Sequence, residues 1–183
     1  MSLPRDFSVR RSSAAGALAL FLALALPVQA SEKLAEITVR DGVTLKFIEN
    51  VDAGNTAPIV ILMIGGDGLA GLDGWAGDDP NSNFLTRVRA EFAKAGFVTA
   101  LPDAPSDRQR SGLGAIRRKP IHARDIGKLI EYMKNKSRGP VFIVGTSKGT
   151  ISAVTIAAFL PAGTVQGIVL TSSMTQMDKI GTN

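Results

Sequence analysis

The stretch from Pro140 to Leu160, PVFIVGTSKGTISAVTIAAFL, constrains the fold of this chain more than any other. An apolar, β-branched run (Val141, Phe142, Ile143, Val144) meets Gly145-Thr146-Ser147-Lys148-Gly149, and a small-residue helical stretch follows at once. Strand, G-x-S-x-G and helix in that order predict a sharp turn that presents one hydroxyl, Ser147, at the carboxyl end of a strand. The flanking glycines let strand and helix approach without a clashing Cβ.

The rest of the chain supplies elements of the same kind. Glu36 to Arg40 and Val43 to Ile48 alternate apolar and polar around Asp41-Gly42, the signal of a two-residue hairpin. Ile59 to Ile64 is apolar throughout, as a central strand covered on both faces must be. Gly65 to Pro80 is a long Gly/Asp loop without helical period. Phe84, Leu85, Val88, Phe92 and Ala95 recur at helical spacing, with Asn83 placed to cap the helix and Gly96 to end it. Phe97 to Leu101 reads as a short buried strand running into Pro102-Asp103, and Ala104 to Pro120 as a basic loop. Ile126, Leu129, Ile130 and Met133 mark a further helix, and Val165 to Leu170 a last buried strand. Alternating strands and helices after a hairpin predict an α/β domain: a mostly parallel sheet with an N-terminal antiparallel hairpin. Ligands of such sheets bind beyond the carboxyl ends of the strands, where Ser147, the Gly65 loop and the Asp103 loop all fall.

Residues 1–30 read as a secretory signal peptide, with residues 31–183 as the one domain. Arg10 and Arg11 close a basic segment, Ala14 to Leu26 is apolar, Pro27 breaks the run, and Val28-Gln29-Ala30 ends on small residues suited to cleavage. The apolar run is shorter than the about 20 residues a membrane span takes, so no stable span is expected once the signal is removed. A retained anchor is the competing reading. The protein is therefore expected to be exported, to a periplasm or the exterior. The chain carries a net charge of +5, of which residues 1–30 hold +2; the remainder is scattered and does not argue for nucleic acid. The absence of Cys rules out disulfides, thiolate ligands and a Cys nucleophile.

Several local patterns point elsewhere. Gly66-Asp67-Gly68-Leu69-Ala70-Gly71 fits G-x-G-x-x-G, but a dinucleotide site also needs a helix to open there, and two more glycines and Pro80 follow instead. Asp67, Asp73, Asp78 and Asp79 lack the spacing of a calcium loop, so a solvated acidic loop is expected and no metal. Arg108, Arg110, Arg117, Arg118 and Lys119 could favour an anionic substrate, or form a hydrated surface as such runs more often do. Trp75 is as well suited to line an acyl pocket as to cover the core.

With its strand, G-x-S-x-G turn and helix, and with Ile64-Gly65-Gly66-Asp67 one unit upstream, the chain resembles the α/β-hydrolase superfamily over residues 36 to 171. The resemblance implies a serine hydrolase of the esterase kind, acting on a small-molecule acyl substrate without a cofactor. Ser147 would be the nucleophile. The backbone N–H of Lys148 and that of Gly66, with Asp67 as a second choice, would hold the oxyanion. Relatives often carry His-Gly-Gly-Gly where this chain has Ile-Gly-Gly-Asp. The family's triad continues with an acid and then a histidine after the serine. Here Asp178 is the one acid that follows Ser147, a stand-in for the triad acid, and no histidine follows at all. His122, the single histidine, precedes the nucleophile and is expected near the start of a helix or on the surface. The resemblance thus reaches the first six strands of the usual eight, and the expectation is an amino-terminal portion of a longer hydrolase. The competing reading is a catalytically inactive domain that binds a ligand or partner.

Overall fold

A computed structural model of the protein describes residues 31–73 and 83–174. Its centre is a six-stranded sheet in the order β1-β2-β4-β3-β5-β6. The strands are β1 (Lys33–Arg40), β2 (Val43–Asn50), β3 (Ile59–Met63), β4 (Val98–Pro102), β5 (Val141–Thr146) and β6 (Gly167–Thr171). The helices are α1 (Phe84–Lys94), α2 (Pro120–Lys134) and α3 (Gly149–Phe159).

The expected hairpin joins β1 to β2 through Asp41-Gly42, where Gly42 takes φ 64°, a value that a side chain would strain. β2 also pairs antiparallel with β4, and from β4 onward every neighbour is parallel. The mixed sheet with its antiparallel hairpin is the architecture expected from the order of elements.

Period-two alternation along β3 shows how the layers form. Ile59, Ile61 and Met63 face a core that holds Ile126, Leu129, Ile130 and Met133 of α2 with Ala153 and Ile156 of α3. Val60, Leu62 and the following Ile64 face a second core with Leu85, Val88 and Phe92 of α1. Full burial of each such side chain contributes about 1.5–3 kcal/mol, so the strand that carries both faces does most to hold the domain together. Asn83 caps α1, its side chain accepting from Leu85 N at 3.1 Å, and Gly96 ends the helix at φ 88°. Pro120 opens α2 at a position where its missing N–H has no helical partner to lose.

Two details differ from expectation. The basic loop between β4 and α2 carries local structure that was not expected: a 3-10 turn, Ser106–Arg108, and several further turns. β6 is not a buried strand, since Ile168, Val169 and Leu170 are 37%, 50% and 40% exposed. It pairs only with β5 among the described residues, so one flank of the strand lies open.

Candidate active site

β5 runs from the middle of the sheet and stops at Thr146, and α3 begins at Gly149. The two residues between them must reverse the chain, and Ser147 does so at φ 50°. Among the described residues only Ser147 and Ser172 hold positive φ without being glycine. A left-handed serine costs about 1–2 kcal/mol, and such strain persists only where the surroundings impose it. Here the surroundings are backbone. A Cβ added to Gly145 would stand 2.6 Å from Gly149 O, and one added to Gly149 would stand 2.0 Å from Met63 O. Ser147 N donates to Thr171 O at 3.0 Å, while Thr150 N and Oγ1 donate to Ser147 O at 3.0 and 2.6 Å.

Facing the serine is the loop after β3. A Cβ on Gly65 would lie 3.0 Å from Cβ of Ser147 and 3.1 Å from Thr146 O, so only glycine lets this loop reach the turn. The loop is anchored from the far side by Asp103, buried just after β4. Its Oδ1 accepts from Ala70 N at 2.7 Å and its Oδ2 from Leu72 N at 3.0 Å. No helix begins within residues 65–73, which removes the structural condition of a dinucleotide fingerprint. The three segments expected at this edge of the sheet do meet there, and Asp103 serves as a brace for the loop. The amides of Gly66, Asp67 and Lys148 donate to no acceptor among the described residues. They are therefore open to an anion that develops next to Ser147. Lys148 Nζ lies 3.8 Å from Asp67 Oδ1, and Asp73 pairs with Lys46, so these acids of the loop are engaged with cations.

Behind the loop lies a polar cluster for which the sequence carries no motif. Arg117, one of the cations of the basic run that could favour an anionic substrate or form a hydrated surface, is only 3% exposed. Its Nη1 donates to Ser152 Oγ at 2.8 Å and to Ile64 O at 3.4 Å, and its Nη2 donates to Gly66 O at 3.2 Å. In a trans peptide the C=O and the following N–H point opposite ways. Holding the carbonyls of Ile64 and Gly66 toward Arg117 therefore turns the N–H groups of Gly65 and Asp67 away from it. Asp67 N–H is thus turned away from Arg117 and, like Gly66 N–H, has no acceptor among the described residues.

His122 is also not on the surface. It sits in the first turn of α2, 1% exposed, with Nε2 2.9 Å from Ser152 Oγ. Ser152 Oγ thus accepts from Arg117 and shares a second hydrogen bond with His122 Nε2, whose direction is set by the tautomer of the ring. Nδ1 is buried without a partner among the described residues. Burial, and after it the charge of Arg117, pushes His122 down to about 3, so the ring is neutral near pH 7. Its hydrogen bond goes to Ser152, inside the fold, and none goes to Ser147. Burial lowers Arg117 to about 10, and the Asp67 carboxylate acts in the opposite direction. Even so, the guanidinium stays charged at neutral pH. Arg117 and Ser152 were not legible as functional residues, because nothing local to either sequence position marks it as buried.

No family model and no curated protein matches this chain. Solved structures do. An esterase from an Arctic intertidal metagenomic library, described as cold-adapted, superposes with a TM-score of 0.56 at 16% identity, over 78% of this chain and 61% of that one. A thermostable carboxyl esterase from Bacillus coagulans gives 0.54 at 20% identity, over 76% and 44%. A CIB-like hydrolase from Thermoplasma acidophilum gives 0.53 at 18% identity, over 79% and 64%. The fold is that of the α/β-hydrolases. This chain spans less than two thirds of the length of each of these three structures. Ser147 lies at the end of β5, in the turn before α3, and the Gly65 loop lies against it. Asp178, the stand-in for the triad acid, lies outside the described residues, as do Trp75, Asp78, Asp79 and the signal segment 1–30.

Proposed function

We propose that this chain is an exported serine hydrolase-type domain that acts on a carboxylic ester or a related acyl bond of a small molecule. The observation that carries the proposal is Ser147, held in a left-handed turn between β5 and α3 against a glycine loop whose Gly66 and Asp67 amides have no acceptor among the described residues. In this reading Ser147 Oγ attacks the acyl carbon and its proton passes to a base. The N–H groups of Lys148 and of Gly66 or Asp67 stabilise the charge that moves onto the carbonyl oxygen. Collapse of that intermediate expels the alcohol and leaves an acyl-serine, which water then cleaves. His122 is not the base in this arrangement, since it is buried and its hydrogen bond goes to Ser152 rather than to Ser147. No histidine follows Ser147 in the sequence. Turnover needs a base in reach of Ser147, since without one the rate lies several orders of magnitude below that of a complete triad. Residues 1–30, with their basic start, apolar run and small-residue end, support export to a periplasm or the exterior.

A fluorophosphonate probe tests the reading directly. The expected result is covalent labelling of the folded protein that disappears in Ser147→Ala. A well-folded sample that takes up no label would favour the competing reading, a hydrolase-like domain that binds without reacting.

A further inference from the structure

Beside the Ser147 turn lies a cavity of about 180 Å³. It is comparable to engineered cavities of about 150 Å³ that hold a benzene ring, so it admits a group of a few heavy atoms. Gly66, Arg117, Arg118 and Lys148 form its polar wall, and Ile151 and Met174 its apolar one. Gly66 and Lys148 belong to the oxyanion site, so a group lodged here would be carried by the same molecule whose carbonyl meets Ser147.

The wall is electrostatically lopsided. Three cations face the cavity, and Asp67 is the one acid among the lining residues. Arg118 and Lys148 are solvent-exposed, and Lys148 has Asp67 within 3.8 Å. Arg117 is different. It is buried, and no carboxylate lies within 4.0 Å of it among the described residues. Its three contacts are to neutral oxygens: Ser152 Oγ, Ile64 O and Gly66 O. A buried cation with no carboxylate in direct contact is costly even with the Asp67 charge acting in its favour, and a neutral amide side chain could clasp two carbonyls without that cost. The charge itself therefore calls for an explanation. A guanidinium has five N–H donors, and the three contacts use both hydrogens of Nη1 and one of Nη2. What remains is one hydrogen on Nη2 and the hydrogen on Nε. These two nitrogens form one edge of the planar fork, an edge that matches the two oxygens of a carboxylate.

We propose that this cavity is an anion-recognising subsite, and that the preferred substrate is an ester bearing a carboxylate close to its acyl carbonyl, with Arg117 as the counterion. The inference rests on the reading of Ser147 as the acyl-transfer nucleophile, but its test does not require turnover. The Ser147→Ala protein, full length, is titrated at pH 7 with monomethyl succinate and with dimethyl succinate, its neutral counterpart. Binding is followed by the amide shifts of Gly66 and Lys148. The monoanion is expected to bind about tenfold to a hundredfold more tightly, as one charge-assisted contact of this kind supplies. That preference should persist in 0.5 M salt (about a 4 Å screening length), because a buried pair is screened little.

Arg117→Gln should abolish the preference, and Arg117→Lys, which keeps the charge but loses the fork, should retain part of it. Should Arg117→Gln fail to fold, as thermal melting would show, the Lys variant and the salt series carry the test. Equal affinity for the two esters would overturn the proposal. So would a preference that vanishes with salt, or one that survives both Arg117 variants and disappears in Arg118→Ala, since either would locate the effect on the exposed rim. Failure of the hydrolase reading would look different: wild-type protein without fluorophosphonate labelling, while the monoanion preference stands.

Discussion

Ser147 shows how much a single residue can be asked to hold. Its hydroxyl is useful only at the apex of the turn, and the apex demands φ 50°, which glycine adopts freely and serine does not. Removing the side chain should therefore separate stability from chemistry. Ser147→Gly is expected to relieve about 1–2 kcal/mol of backbone strain while adding about 0.4–1 kcal/mol of unfolded-chain entropy, a net gain of roughly 0.5–1 kcal/mol. Thermal denaturation would read this as a rise of a few degrees, accompanied by complete loss of fluorophosphonate labelling. A Ser147→Gly protein less stable than the parent would mean that the turn carries no such strain. The neighbouring glycines behave oppositely. At Gly149 even one methyl group meets a backbone oxygen of β3 that has no room to retreat.

At the level of elements, the contact between the start of α2 and the middle of α3 is notable because buried polar side chains meet there. His122 from α2 and Ser152 from α3 are joined with Arg117 in the loop before α2, and that cluster reaches the carbonyls at the end of β3. Its acid sensitivity follows from His122. The folded state holds the ring neutral down to about pH 3, whereas the unfolded chain protonates it near its ordinary value of 6.5. Between those values the unfolded state binds more protons, so stability is fully present above about pH 6.5 and falls as pH is lowered. From pH 7 to pH 5 the loss should be about 2 kcal/mol. Asp107, held below its ordinary 3.8 by its bond to Arg40, adds its own loss only at lower pH, so the two windows are separable. Urea melts at pH 7 and pH 5 would show the slope, and His122→Gln should flatten it whatever its effect on absolute stability. An unchanged slope in that variant would exclude His122 as its source.

For the molecule as a whole, the proposed export bears on where the sheet begins. β1 begins at Lys33, and Ser31 N already donates to Asp52 Oδ2. Cleavage after Ala30 would turn that amide into a charged amine facing the same carboxylate, so the contact would be kept and strengthened. Intact-mass measurement of the exported protein should therefore give a chain that begins at Ser31. Exported protein that retains Met1 would rule out cleavage at this site. Among the described residues no helix is long and apolar enough to cross a membrane. Exposed large apolar side chains include Ile168, Val169 and Leu170 of β6 and Val154 and Phe159 of α3.

What the order of residues determined by itself is everything that depends on local chemistry. Alternation around Asp41-Gly42 made the hairpin, and the unbroken apolar run of Ile59 to Ile64 made a strand with two covered faces. The glycines on either side of Ser147 made a turn that can hold a serine in strain. The positions of Ser147, Gly66 and Lys148 at one edge of the sheet followed from the alternation of strands and helices. Tertiary structure alone decided which charges are buried. Arg117 and Arg118 are adjacent and chemically identical in the sequence, yet one is enclosed behind the Gly65 loop and the other stands in solvent. His122 reads as a helix-start residue until α3 packs over it and supplies Ser152. Burial is a property of what the chain brings together from dozens of residues away, and no periodicity or spacing within a segment encodes it.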